Sequence, residues 1–177
     1  MKTVIITGTS TGIGYKLSQI FSDKKFKVIS LSRSSNIAEI SSKNIEHISF
    51  DITSDDDHQK LIKTLFEFFS TDAHIVNISS IGGLIGSSKF KGLTAYSSSK
   101  AALNVLTEVL SEEYKDSDIT FNSLCLGSVQ TKMLEKAFPG YKAEVSPLEM
   151  AEYIFDFSVN GKKLFSGKVI PISKSNP

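Results

Sequence analysis

The sequence has one cysteine, three histidines and almost no net charge. Cys125 on its own excludes an internal disulfide and suits a reducing cytoplasm. Three scattered histidines give no metal-ligand spacing. With 20 basic against 19 acidic residues, a net charge of +1, there is no electrostatic case for nucleic acid or an anionic membrane. Long hydrophobic runs are missing too. The apolar segment at Met1–Ile6 is too short for a signal peptide and meets a glycine loop at once, and no stretch approaches a membrane span. These absences point to a soluble, unprocessed chain with small-molecule partners, and 177 residues suit one domain with a sizeable core.

What is present begins with a strand and a glycine turn. Val4-Ile5-Ile6 reads as a buried strand, and Thr7-Gly8-Thr9-Ser10-Thr11-Gly12-Ile13-Gly14 leads from it into a helix with Ile13, Leu17, Ile20 and Phe21 on one face. Glycines let the backbone turn sharply and approach a pyrophosphate, while the N–H groups and positive dipole end of the helix favour its charge. Gly8, Ser10, Thr11, Gly12, Ile13 and Gly14 are therefore candidate cofactor contacts, in a Gly-x3-Gly-x-Gly variant of the dinucleotide fingerprint.

A second strand, Lys27–Leu31, ends in Ser32-Arg33-Ser34-Ser35 rather than in an acidic residue. A guanidinium flanked by hydroxyls suits a 2′-phosphate, which favours NADP(H) over NAD(H). The third strand, Glu46–Phe50, ends in Asp51-Ile52-Thr53, where Asp51 and Ile52 would border the adenine; Asp51 serves equally well as the carboxylate of the next helix N-terminus. Ser54 caps that helix, and Leu61, Ile62, Leu65, Phe66 and Phe69 form its expected core stripe. His47 and His58 read as a strand-face and a helix-surface residue.

A further strand, His74–Ile78, delivers Ser79 and Ser80 at its C-terminal end, and a glycine-rich loop from Gly82 to Gly92 leads to Tyr96 and Lys100. Four-residue spacing on a helix sets that phenol and ammonium side by side. At ~4 Å and an effective dielectric near 20, a cation favours the phenolate by about 4 kcal/mol, roughly three pK units. That is enough to bring proton transfer by a tyrosine towards neutral pH.

In this order the glycine turn, the Asn-Ile-Ser-Ser strand end (77–80) and Tyr96-x-x-x-Lys100 resemble the signature of the short-chain dehydrogenase/reductase family (SDR), over most of the chain. The resemblance implies an α/β, Rossmann-like doubly wound parallel sheet in one NAD(P)-binding domain, 1–177. It implies an NADP-dependent oxidoreductase moving a hydride between nicotinamide and a small alcohol or carbonyl substrate. Tyr96 would exchange the proton, Ser80 would hydrogen-bond the substrate oxygen, and Lys100 would lower the Tyr96 pKa and hold the nicotinamide ribose. Gly127, Val129 and Thr131 would lie at the nicotinamide end, with Leu126 replacing the family proline. Ser79 reads as a packing residue. Ser146, Pro147 and Glu149 start a capped helix leading to Met150, Ala151, Ile154 and Phe155, and 166–172 resembles the last strand.

Between Asp51 and Ser80 one helix and one strand fill the chain, so the family's Asn-Asn-Ala-Gly strand and the helix after it are absent. If 74–78 closes the gap against the first strand, the sheet has six strands in the order 3-2-1-4-5-6, and Ser80 and Tyr96 move by ~4.8 Å towards the pyrophosphate site. A non-catalytic NADP-binding protein, acting as a sensor or partner-binding module, is the alternative. Homo-oligomerisation is left open. Phe90, Phe138 and Tyr141 read equally well as pocket lining and as packing anchors.

Overall fold

The computed structural model describes residues 1–34, 44–65 (side chains to 62) and 72–174. Ser35, Phe66 and Phe69, together with the side chain of Leu65, lie outside the described residues. The chain divides into two compact units, Met1–Phe69 with Ser146–Phe155, and Ser70–Val145 with Asp156–Pro177.

The first unit holds β1 (Thr3–Thr7), α1 (Gly12–Asp23), β2 (Lys27–Ser32), β3 (Ile45–Ser49), α2 (Asp55–Leu65) and the first part of α5 (Pro147–Asn160). All strand pairs are parallel, in the order β1-β2-β3, and β2 is central. Its run Val-Ile-Ser-Leu is buried on both faces, which is why it reads as a continuous apolar strand rather than an alternating one. Ile29, Leu31 and Phe50 form a core joined by Ile5, Ile48 and Leu61. Phe21 of α1, Phe26 and Phe155 of α5 meet edge to face, with Phe21 and Phe155 centroids 4.8 Å apart. The start of α5 is a reciprocal box: Glu149 N donates to Ser146 Oγ, and Ser146 N donates to Glu149 Oε2 at 2.8 Å.

The second unit holds β4 (Ala73–Ser80), a 3-10 turn (Ile81–Gly83), α3 (Thr94–Glu113), β5 (Ile119–Leu126), α4 (Lys132–Ala137), the end of α5 and β6 (Lys168–Ile172). Its sheet is parallel in the order β4-β5-β6, and Ser80 pairs with Leu126, so β4 and β5 leave the sheet at the same end.

Polar side chains key α3 onto this sheet. Asn77 Nδ2 donates to Thr107 Oγ1 at 2.9 Å, and buried Ser123 and Cys125 both donate to Asn104 Oδ1. A buried hydrogen-bonded peg has one satisfactory register, whereas greasy packing tolerates sliding.

The strands number six among the described residues, in two parallel three-stranded sheets ordered β1-β2-β3 and β4-β5-β6. One expectation changes. Ile62 is 56% exposed and not a core residue, because it sits 100° round α2 from Leu61, which takes the core face.

Candidate active site

The glycine turn has the geometry a phosphate cradle needs. Gly8 and Gly12 have φ of 75° and 63°, in the left-handed region that favours glycine. A Cβ on Gly14 would run into the Gly8 carbonyl, 3.0 Å from its carbon, so the turn closes this tightly only without a side chain. Thr11 stands at the N-cap of α1 but makes no side-chain capping bond, and the first turn carries no acidic residue. The cradle is fixed to β2: Gly8 N donates to Leu31 O at 2.8 Å, and buried Thr9 shares a 2.6 Å hydrogen bond with Ser30 Oγ. These residues fit the pyrophosphate of a dinucleotide.

Arg33 is exposed just beyond β2. Asp51 Oδ1 accepts from the N–H and hydroxyl of Thr53, and the Asp51 N–H donates to Asp57 Oδ2 at 2.9 Å. The Thr53 bonds, with the nearby Arg33 charge, hold the Asp51 carboxyl below its ordinary range. Asp51 thus serves the turn into α2, whose N-terminus Ser54 caps by accepting from Asp57 N. Ile52 is 71% exposed on that turn.

In the second unit, Ser80, Tyr96 and Lys100 come together around a pair of glycines. Ser80 ends β4 and caps the 3-10 turn: Gly82 N donates to Ser80 Oγ at 3.1 Å. A Cβ on Gly82 would stand 3.5 Å from both Ser80 Oγ and Ser97 Oγ and 3.9 Å from Cε1 of Tyr96, so hydroxyl and phenol ring border one small space. A Cβ on Gly83 would lie 2.7 Å from the Lys100 carbonyl carbon, which makes Gly83 the point where the turn touches the α3 backbone. Tyr96 is 38% exposed in the first turn of α3.

Lys100 is held on several sides. Its Nζ donates to Ile78 O at 2.9 Å and lies 5.9 Å from the Tyr96 ring centroid, and its carbonyl accepts from the buried Ser79 hydroxyl. Burial pushes the Lys100 ammonium below its ordinary pKa, with Cys125 acting weakly the other way.

Gly127, Val129 and Thr131 follow β5. Gly127 N donates to Ile172 O, and its Cα faces Ser173 so closely that a Cβ would collide there. Val129 is buried, and Thr131 Oγ1 caps α4 by accepting from Leu134 N. Sequence reasoning passed over Gly82, Gly83, Thr9 and Asn104. The Gly82-Gly83 pair, one residue beyond Ser80, was the available signal, since paired glycines just past a strand end mark close backbone approach.

Residues 2–71 and 68–142 match the profile of the family described as short chain dehydrogenase. The two stretches overlap at residues 68–71. An uncharacterized oxidoreductase of Staphylococcus aureus (strain N315) is 28% identical over 96 residues, which cover 54% of this chain and 39% of that protein. A second, from Staphylococcus aureus (strain MW2), is 20% identical over 86% of this chain and 89% of its own length. Among solved structures, 4-hydroxyisoleucine dehydrogenase complexed with NADH superposes with a TM-score of 0.82 at 19% identity, covering 98% of this chain and 97% of that one. The fold is therefore the α/β Rossmann-like one. No helix among the described residues is long and apolar enough to cross a membrane.

Proposed function

Because the chain belongs to the short chain dehydrogenase family, we propose that it is an NADP-dependent oxidoreductase acting between nicotinamide and a small alcohol or carbonyl compound, with Tyr96 as general acid/base. The observation that carries this reading is the convergence of Ser80, Tyr96 and Lys100 around Gly82 and Gly83.

Each residue has a role its contacts support. Ser80 Oγ already accepts the Gly82 N–H, which leaves its own proton for a substrate oxygen. The exposed Tyr96 phenol passes a proton to or from that oxygen. Lys100 spends one donor on Ile78 O and keeps two for a ribose hydroxyl and for the field at the phenol. Gly8, Ser10, Thr11, Gly12, Ile13 and Gly14 would hold the pyrophosphate, and exposed Arg33 the 2′-phosphate. When bound, the cofactor supplies the hydride, and the protein supplies orientation and electrostatics. In this reading residues 1–177 work as one NAD(P)-binding domain in the cytoplasm.

The test is titration with NADPH and with NADH, followed by turnover of a panel of carbonyl compounds. Tighter NADPH binding and measurable reduction are expected. NADPH binding with no turnover across a wide panel would instead favour a nucleotide sensor.

A further inference from the structure

Ser80 leaves the sheet beside Leu126, so the loop after β4 and the chain after β5 emerge at one end of the second unit. Each carries a phenylalanine at the start of the same kind of turn. In Phe90-Lys91-Gly92-Leu93, Leu93 N donates to Phe90 O at 3.2 Å, with Gly92 at φ 89°. In Phe138-Pro139-Gly140-Tyr141, Tyr141 N donates to Phe138 O at 3.1 Å, with Gly140 at φ 84°. Positive φ at the third position is the demand of a type II turn, which glycine meets without strain.

The rings meet. Phe90 and Phe138 stack edge to face with centroids 5.1 Å apart, and Tyr141 follows at 6.5 Å from Phe138. All three are half-buried, so part of each ring is open. The second segment is strapped down: Tyr141 Oη lies 3.1 Å from Ser128 Oγ, Ala143 N donates to Gln130 Oε1 at 2.7 Å, and Gln130 N donates to Val145 O at 2.8 Å. Lys89 Nζ ties the first loop by donating to Leu84 O at 2.7 Å and to Ser87. An aromatic surface held this way needs no ordering when a ligand arrives.

We propose that Phe90, Phe138 and Tyr141 form a preset aromatic wall that makes the enzyme selective for carbonyl compounds and alcohols bearing an aryl or bulky alkyl group over small or polyhydroxylated ones. This rests on the oxidoreductase reading above. A ring face at fixed position rewards an apolar substituent by removing it from water, and offers no partner for hydroxyls, whose desolvation then opposes binding.

The test compares acetophenone with acetone in the parent, Phe90→Ala and Phe138→Ala, with Phe90→Leu and Phe138→Leu as variants that keep apolar volume. The parent should prefer acetophenone. The alanine variants should lose about tenfold or more in kcat/KM for acetophenone, chiefly through KM, with acetone changed less than about twofold. Equal losses on both ketones would show that the rings only hold the loops, and no loss on either would overturn the wall outright. If the parent reduces neither ketone, the oxidoreductase reading fails, and saturation-transfer NMR with acetophenone decides the wall separately: binding to the parent that weakens in Phe90→Leu and Phe138→Leu upholds it, and no binding overturns it.

Discussion

Lys100 Nζ donates to the carbonyl of Ile78 at 2.9 Å, tying the helix that carries Tyr96 to the strand that carries Ser80. The same two segments are joined again by Ser79 Oγ to Lys100 O and by the contact of Gly83 with the Lys100 backbone. Relative placement of the hydroxyl and the phenol is therefore a property of residues 78–83 as much as of the residues that would do the chemistry.

The two glycines separate placement from stability. Gly83→Ala forces a methyl into the α3 backbone and should destabilise by about 1–3 kcal/mol, read as a lower urea midpoint. Gly82→Ala meets only ordinary contacts at 3.5–3.9 Å and should leave the midpoint nearly unchanged. Its methyl nevertheless fills the space between Ser80 and Tyr96, so kcat/KM should fall by about tenfold or more. Full activity in Gly82→Ala would show that the substrate oxygen lies elsewhere.

In the nucleotide half, Arg33→Ala should weaken NADPH by about tenfold to a hundredfold, the worth of one or two charge-assisted hydrogen bonds, and leave NADH little changed. Calorimetric titration of both cofactors measures the difference. Equal losses would remove Arg33 from the 2′-phosphate. Gly14→Ala should weaken both alike, because its Cβ meets the Gly8 carbonyl and opens the turn.

His74 gives the second unit a pH dependence. Its Nδ1 lies 2.9 Å from Ser158 O and its Nε2 3.0 Å from Nδ2 of Asn122, whose Oδ1 is taken by the Lys168 N–H. The arrangement fits a neutral ring, with Nδ1 donating and Nε2 accepting. Burial is the main cause lowering the His74 pKa, the Ser158 bond opposes it, and Lys162, paired with Asp72, lowers it further. A depressed pKa means the unfolded chain binds the proton more readily, so the stabilisation is complete above the unfolded value of about 6.5 and is lost as pH falls below it. Between pH 7.5 and 5 the urea midpoint of the parent should fall more than that of His74→Gln. Parallel profiles would contradict this.

The parts legible in the sequence are those where a local rule leaves one solution. The glycine turn was readable because Gly8, Gly12 and Gly14 meet backbone demands that other residues meet badly, and the Ser146–Glu149 box because both partners lie within one helical turn. Ile62 was misread because a stripe drawn from spacing is wider than the contact α2 makes. The pegs Asn77–Thr107 and Ser123–Asn104 were hidden because a polar residue in a strand does not say which helix it faces.

The most direct measurement is NADPH-dependent carbonyl reduction by the parent and by Tyr96→Phe, with NADPH affinity and thermal midpoint recorded for both. Expected is a fall in kcat of about 10²–10⁴-fold with affinity and midpoint preserved, since a partly exposed hydroxyl is removed and the ring stays. Turnover in Tyr96→Phe equal to the parent would contradict the assignment of the proton transfer to this residue.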